Sequence, residues 1–332
     1  MTGWSGAKVP SAICGALLCV SCGDPVAANS AAPTDKIEQM LIEQDASTAD
    51  VARCRYLRHR DRKIWGCVHE LPIGPRASGA GLTDSGICGI TKVIGNADES
   101  SVLRILVGPG GRYRLLLGVG DRTSHRLDVR VSCASITGFS GLPSAATLTA
   151  ARDYSVGSHD RPRPGETLTF RKIAAHGGEP ADLCLWSGFE GNVNSVPLGD
   201  LNSFLFSGTR YDAEFGWSLD AITFGSASHD FTSYSRCDGY FPAHGWNYLY
   251  ALQSWSSHDF RGVFSQYPYA DAELLPVDAS THFCWLTGIS TYGPRMQADL
   301  HVVTPAGSAP RWRYEGLTTS TMVGIQCVPY RQ

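Results

Sequence analysis

The stretches CGITKVIG (88–95), CLWSGFEG (184–191) and CWLTGIST (284–291) are three versions of one phrase. Each opens on a cysteine and runs through apolar residues to a Ser or Thr, which reads as a Ser/Thr-rich turn. An aromatic-centred segment follows each: GRYRLLLG (111–118), GWSLD (216–220) and RWRYEG (311–316). A second cysteine then closes each unit: Cys133, Cys237 and Cys327. The opening cysteines lie 96 and 100 residues apart. A fixed period of that size means duplicated modules.

The phase follows from the end of the sequence. Only five residues come after Cys327. Units that end at the closing cysteine give three similar modules, 29–133, 134–237 and 238–332. Units that begin at the opening cysteine would leave the third half missing. Pairing within units selects Cys88–Cys133, Cys184–Cys237 and Cys284–Cys327. Cys54 and Cys67 remain in the first lead segment and pair with each other. Eight cysteines allow about a hundred connectivities, so the repeat carries this choice. No C-x-x-C occurs among the eight cysteines from Cys54 onward, so disulfides are expected and a metal is not.

The segments between cysteines read as strands. RYRLLLGV (112–119), LDVRVSC (127–133), SVLRILVG (101–108), TLTFRKIA (167–174) and LHVVTP (300–305) are rich in β-branched, aromatic and aliphatic residues. Gly, Pro, Asn and Asp clusters separate them. The expected fold is mainly β: three tandem, disulfide-stapled antiparallel β modules of β-sandwich type, with one short N-terminal helix. That helix is TDKIEQMLIEQD (34–45), where Ile37, Met40 and Leu41 fall at helical spacing behind a Thr34 or Asp35 cap. SAATLTAARDY (144–154) and ADAELLP (270–276) occupy matching places and suggest single helical turns.

The N-terminal 28 residues read as a secretory signal, with Lys8 ahead of a short apolar run at 11–20. That run is too short to span a bilayer. Two cleavages compete. A lipoprotein peptidase would cut before Cys22, which would then be lipidated. An ordinary peptidase would cut after Ala28, following Val26-Ala27-Ala28. Either removes Cys14 and Cys19 and takes Cys22 out of disulfide chemistry. The chain is therefore expected outside the cytoplasm, as an outer-membrane lipoprotein or an extracellular protein. It would meet the membrane only through the anchor.

The opening phrase resembles repeats in uncharacterised secreted or lipoprotein-like bacterial proteins, whose modules run Cys-x-Leu-Thr-x-x-x-Gly to a Trp-centred strand and a closing Cys. The resemblance implies export and modular β structure and no activity. This chain departs from it at Lys92, which stands where the others have Gly.

The chain has 332 residues, 43 % hydrophobic and 18 % charged, with a formal net charge of −3. That balance fits a folded protein and gives no basis for nucleic-acid binding. No P-loop, H-E-x-x-H or EF-hand loop is present, and no cofactor is implied. Ser-His-Asp occurs at 158–160, 228–230 and 257–259, but strand neighbours face opposite sides, so the order makes no relay. Asn192, Asn194, Asp200 and Asn202 hold one carboxylate among them and read as an Asx-turn loop. Arg53, Arg55, Arg58, Arg60, Arg62 and Lys63 form a basic run, all but Arg53 lying between Cys54 and Cys67. It reads as a disulfide-tied hairpin with arginines on its solvent face, able to meet acidic polysaccharide or anionic headgroups. In Arg112-Tyr113-Arg114 and Arg311-Trp312-Arg313, alternation sets the ring inward and both arginines outward.

The expected function is an exported, non-catalytic cell-envelope protein that binds glycan or a surface protein. The expected ligand face is Trp246, Tyr248 and Tyr250, which alternate on one strand face, with Trp255 nearby. Two other readings stand beside it. One is a glycosidase-like secreted hydrolase whose carboxylates (Glu190, Asp200, Glu214, Asp220) meet only in the fold. The other is a purely structural surface protein.

Overall fold

A computed structural model describes residues 41–73, 86–108, 112–135, 149–157, 170–172, 183–194, 204–212, 216–224, 231–239, 253–256, 272–291, 295–316 and 321–329. Among them are nineteen strands and no helix. In the first unit these are β1 (Leu41–Ser47), β2 (Arg55–His59), β3 (Arg62–Glu70), β4 (Gly86–Asn96), β5 (Val102–Val107), β6 (Tyr113–Val119) and β7 (Arg126–Ser135). The second holds β8 (Thr149–Gly157), β9 (Phe170–Lys172), β10 (Leu183–Gly191), β11 (Phe204–Asp212), β12 (Gly216–Phe224) and β13 (Phe231–Gly239). The third holds β14 (Gln253–Ser256), β15 (Ala272–Asp278), β16 (His282–Thr291), β17 (Met296–Val303), β18 (Arg311–Gly316) and β19 (Thr321–Pro329).

All pairings are antiparallel, in three sheets ordered β1-β7-β4-β17-β18-β15, β2-β3-β6-β5-β10-β13-β8 and β14-β19-β16-β11-β12-β9. The same arrangement recurs. The opening-cysteine strands β4, β10 and β16 each pair with the closing-cysteine strands β7, β13 and β19. On its other side, each opening strand pairs with the middle hairpin of a different unit: β4 with β17, β10 with β5, β16 with β11. Each of the segments 29–133, 134–237 and 238–332 therefore contributes strands to two of the three sheets, and no sheet comes from one segment alone.

Disulfides join Cys54–Cys67, Cys88–Cys133, Cys184–Cys237 and Cys284–Cys327. The last three link directly opposed residues on paired strands, with Cα atoms 4.0 Å apart. Four such bridges belong to a chain that folds in an oxidising compartment.

Three expectations need correction. The segment 34–45 does not form a helix where it is described. From Leu41 onward it is strand, paired residue by residue with β7 from Leu41↔Ala134 to Ser47↔Asp128. Leu41 and Ala46 are buried in the main core from this strand, not from a helix face. A helix that short is marginal on its own, and the ladder on β7 prevails. The segments 144–154 and 270–276 are likewise strand in their described parts, β8 and β15. The Ser/Thr-rich openings are not turns. They are strands with a bulge three residues past the cysteine, at Thr91, Ser187 and Thr287. The bulge carries one extra residue and increases the local twist.

The main core draws on all three sheets through Tyr113, Trp186, Phe189, Phe283, Trp285 and Trp312. Tyr113 and Trp312 point inward, with Arg112 and Arg311 exposed and Arg114 and Arg313 part-exposed, as the alternation predicts. A Cβ on Gly89 would lie 2.4 Å from Trp285 Cβ, so the glycine is what lets β4 and β16 approach face to face.

Candidate functional site

The basic run folds as the β2–β3 hairpin inside the Cys54–Cys67 loop. Its two-residue turn, Arg60–Asp61, has φ of 44° and 64°. Two positive φ values in a row make the turn whose twist matches paired strands. Asp tolerates this region, whereas Arg60 is held there at a cost of about 1 kcal/mol.

Alternation splits the hairpin into two faces. Leu57 and Ile64 lie opposite each other and pack on Val102, Leu106 and Leu116, a small cluster on the side of β5 and β6 away from the main core. The other face carries the opposed pairs Tyr56↔Trp65 and Arg58↔Lys63. Lys63 Nζ sits 4.2 Å from the Tyr56 ring centre. Tyr56 meets Trp65 edge-on at 5.2 Å. The Arg122 guanidinium lies 4.6 Å from the centre of a Trp65 ring. Trp65 is buried and donates from Nε1 to the Thr48 carbonyl at 2.8 Å. The result is an unbroken row, Lys63–Tyr56–Trp65–Arg122, anchored at Trp65. Tyr56 in that row is 52 % exposed.

The hairpin tip is fastened to another unit. Along the sheet β2 and β10 stand four strand spacings apart, about 19 Å if the sheet were flat. Yet His59 Nε2 is 3.1 Å and Arg60 NH1 3.2 Å from the Glu190 carboxylate on β10. The sheet therefore rolls over the small Leu57–Ile64 cluster. Glu190 is also 3.3 Å from Arg104 NH1 on β5. Arg104 extends over the Tyr234 ring of β13 at 3.8 Å. It can do so because Gly188 stands between them, opposite both Arg104 and Tyr234. Gly188 has φ of 124°, and a Cβ there would lie 1.9 Å from the Leu103 carbonyl oxygen. Burial raises the Tyr234 phenol pKa, and the Glu190 charge raises it further.

Of the residues expected to carry function, Trp246, Tyr248, Tyr250 and Cys22 lie outside the described residues, as do all three Ser-His-Asp triplets, Asp200 and Glu214. Trp255 lies on β14 opposite Ile325. Glu190 is in the ion cluster above, and Asp220 is buried on β12. Asn192 accepts from the Asn194 amide at 2.9 Å, as an Asx turn does. Among the described residues no group of His, Cys, Asp and Glu could hold a metal ion.

The sequence reading found the hairpin and missed the row on it. Alternation does place Tyr56 beside Arg58, a signal that was available. Arg122 had no such signal, because it reaches Trp65 from a turn in the same unit but far along the chain. No protein-family model matches the chain, and no curated protein matches its sequence.

Proposed function

We propose that this chain is an exported, non-catalytic β-repeat protein of the bacterial cell envelope that binds glycan on the exposed face of the β2–β3 hairpin. Segments 29–133, 134–237 and 238–332 are read as three copies of one unit. The cell-surface placement follows from the N-terminal signal and, if Cys22 is lipidated, from an anchor there. The observation that carries the binding reading is Tyr56: an exposed ring braced by Trp65 on a disulfide-closed hairpin, with Lys63 over that ring and Arg122 over Trp65. Aromatic faces of this kind stack on flat apolar surfaces such as those of sugar rings, and a braced ring loses little entropy on binding. A hydrolase would need two carboxyls about 5–10 Å apart with water between or beside them. Glu190 is instead held by His59, Arg60 and Arg104.

The test is a glycan array on the mature chain, with Tyr56→Ala and Trp246→Ala beside it. Tyr56→Ala is expected to abolish retention at an unchanged melting temperature. Loss with Trp246→Ala alone, again at an unchanged melting temperature, would move the site to the Trp246–Trp255 region. Retention of no glycan, or of glycan by both variants, rejects the binding reading. Cys22→Ser tests the anchor: detergent partitioning should be lost, and a native N-terminus at Asn29 would overturn it.

A further inference from the structure

We propose that the ligand of this hairpin face is an acidic polysaccharide, one bearing carboxylate or sulfate groups, and not a neutral one. The proposal rests on the glycan-binding reading and adds the charge of the glycan. Six cations belong to the hairpin segment: Arg53, Arg55, Arg58, Arg60, Arg62 and Lys63. Three carboxylates touch them: Asp50 on Arg53, Asp61 on Arg58 and Glu190 on Arg60. The segment keeps an excess of three positive charges in a chain whose formal net charge is −3; of its hairpin cations Arg58 and Lys63 share the Tyr56 face, while Arg55 and Arg62 fall on the opposite one. Charge is thus concentrated here against the sign of the whole molecule, and a local field of that kind draws a polyanion.

The arrangement also favours a sugar over a bare anionic surface. Lys63 sits over the Tyr56 ring, and Arg122 lies over Trp65, the ring that braces it. Arg58 is two residues along the strand from Tyr56, about 7 Å away. A sugar that stacks on Tyr56 therefore has Lys63 beside it and Arg58 about a sugar's reach along the strand. A lipid headgroup would use the cations and leave the ring idle. The Glu190 clamp keeps the tip in place, because it ties the strained Arg60 to β10.

The experiment uses the full mature chain on immobilised polygalacturonate, on neutral dextran and on vesicles of anionic phospholipid. Polygalacturonate should be retained, and binding should fall at least about tenfold between roughly 0.05 M and 0.5 M NaCl, as screening shortens from about 14 Å to about 4 Å. Arg58→Gln/Lys63→Gln and Tyr56→Ala should each cost at least about tenfold in affinity for it, at unchanged melting temperature. Equal or stronger binding to dextran, insensitive to salt, keeps the glycan reading and overturns the acidic one. Binding to vesicles that Tyr56→Ala leaves intact overturns it in favour of a membrane contact. Failure to bind either polysaccharide removes both readings together.

Discussion

Replacing Glu190 by Gln removes a charge and almost nothing else. The side chain keeps its shape and still has an oxygen to accept from Arg104. What changes is the balance of a cluster that joins β2, β5 and β10. The Glu190 side chain is 11 % exposed and that of Arg104 14 %, so their 3.3 Å contact is shielded from solvent. A hydrogen bond to a charged partner in such a place is worth about 1.5–3 kcal/mol, against about 0.5–1.5 for a neutral one. The Arg60 side chain is 59 % exposed, and its contact adds about 0.2–1 kcal/mol. Loss of charge also leaves the Arg104 guanidinium against Tyr234 with no counter-ion beside it. Glu190→Gln should therefore cost about 1.5–3 kcal/mol. Urea unfolding with disulfides intact reads it as a lower midpoint at unchanged slope. A double-mutant cycle with Arg104→Met should return at least about 1 kcal/mol of coupling, and one with Arg60→Met under about 1. A loss below about 0.5 kcal/mol, or equal coupling to both arginines, would show that the cluster does not hold the hairpin.

Gly188→Ala should cost about 2–5 kcal/mol in thermal unfolding, from strain at φ 124° and overlap with the Leu103 carbonyl, while Gly307→Ala, with open space around it, should cost about 1. Non-reducing mass mapping should find Cys54–Cys67, Cys88–Cys133, Cys184–Cys237 and Cys284–Cys327, and removal of any of the last three should cost about 4 kcal/mol in the chain-entropy account. His69 and His282 have pKa values lowered by burial, so their neutral forms favour the fold. The unfolded chain binds their protons first, and stability should fall as pH drops below about 6.5. His69→Gln with His282→Gln should flatten that slope between about pH 7 and 5, and an unchanged slope would refute the assignment.

The sequence settled what depends on short range and on period. The antiparallel β class, the inward Tyr113 and Trp312, and the four cysteine pairings were legible because alternation is a property of neighbouring residues and the cysteine phrases recur along the chain. The tertiary structure alone decided which unit lies beside which. Residues of β4 show nothing that selects β17 rather than β5 as a partner, since a ladder uses backbone groups that every residue has. It also decided that Leu41–Asp45 is strand, because a backbone ladder on β7 satisfies every residue from Leu41 to Ser47. The Glu190 cluster was illegible for the same reason. His59, Arg60, Arg104, Glu190 and Tyr234 come from four strands and the turn after β2, and only the roll of one sheet brings them within reach.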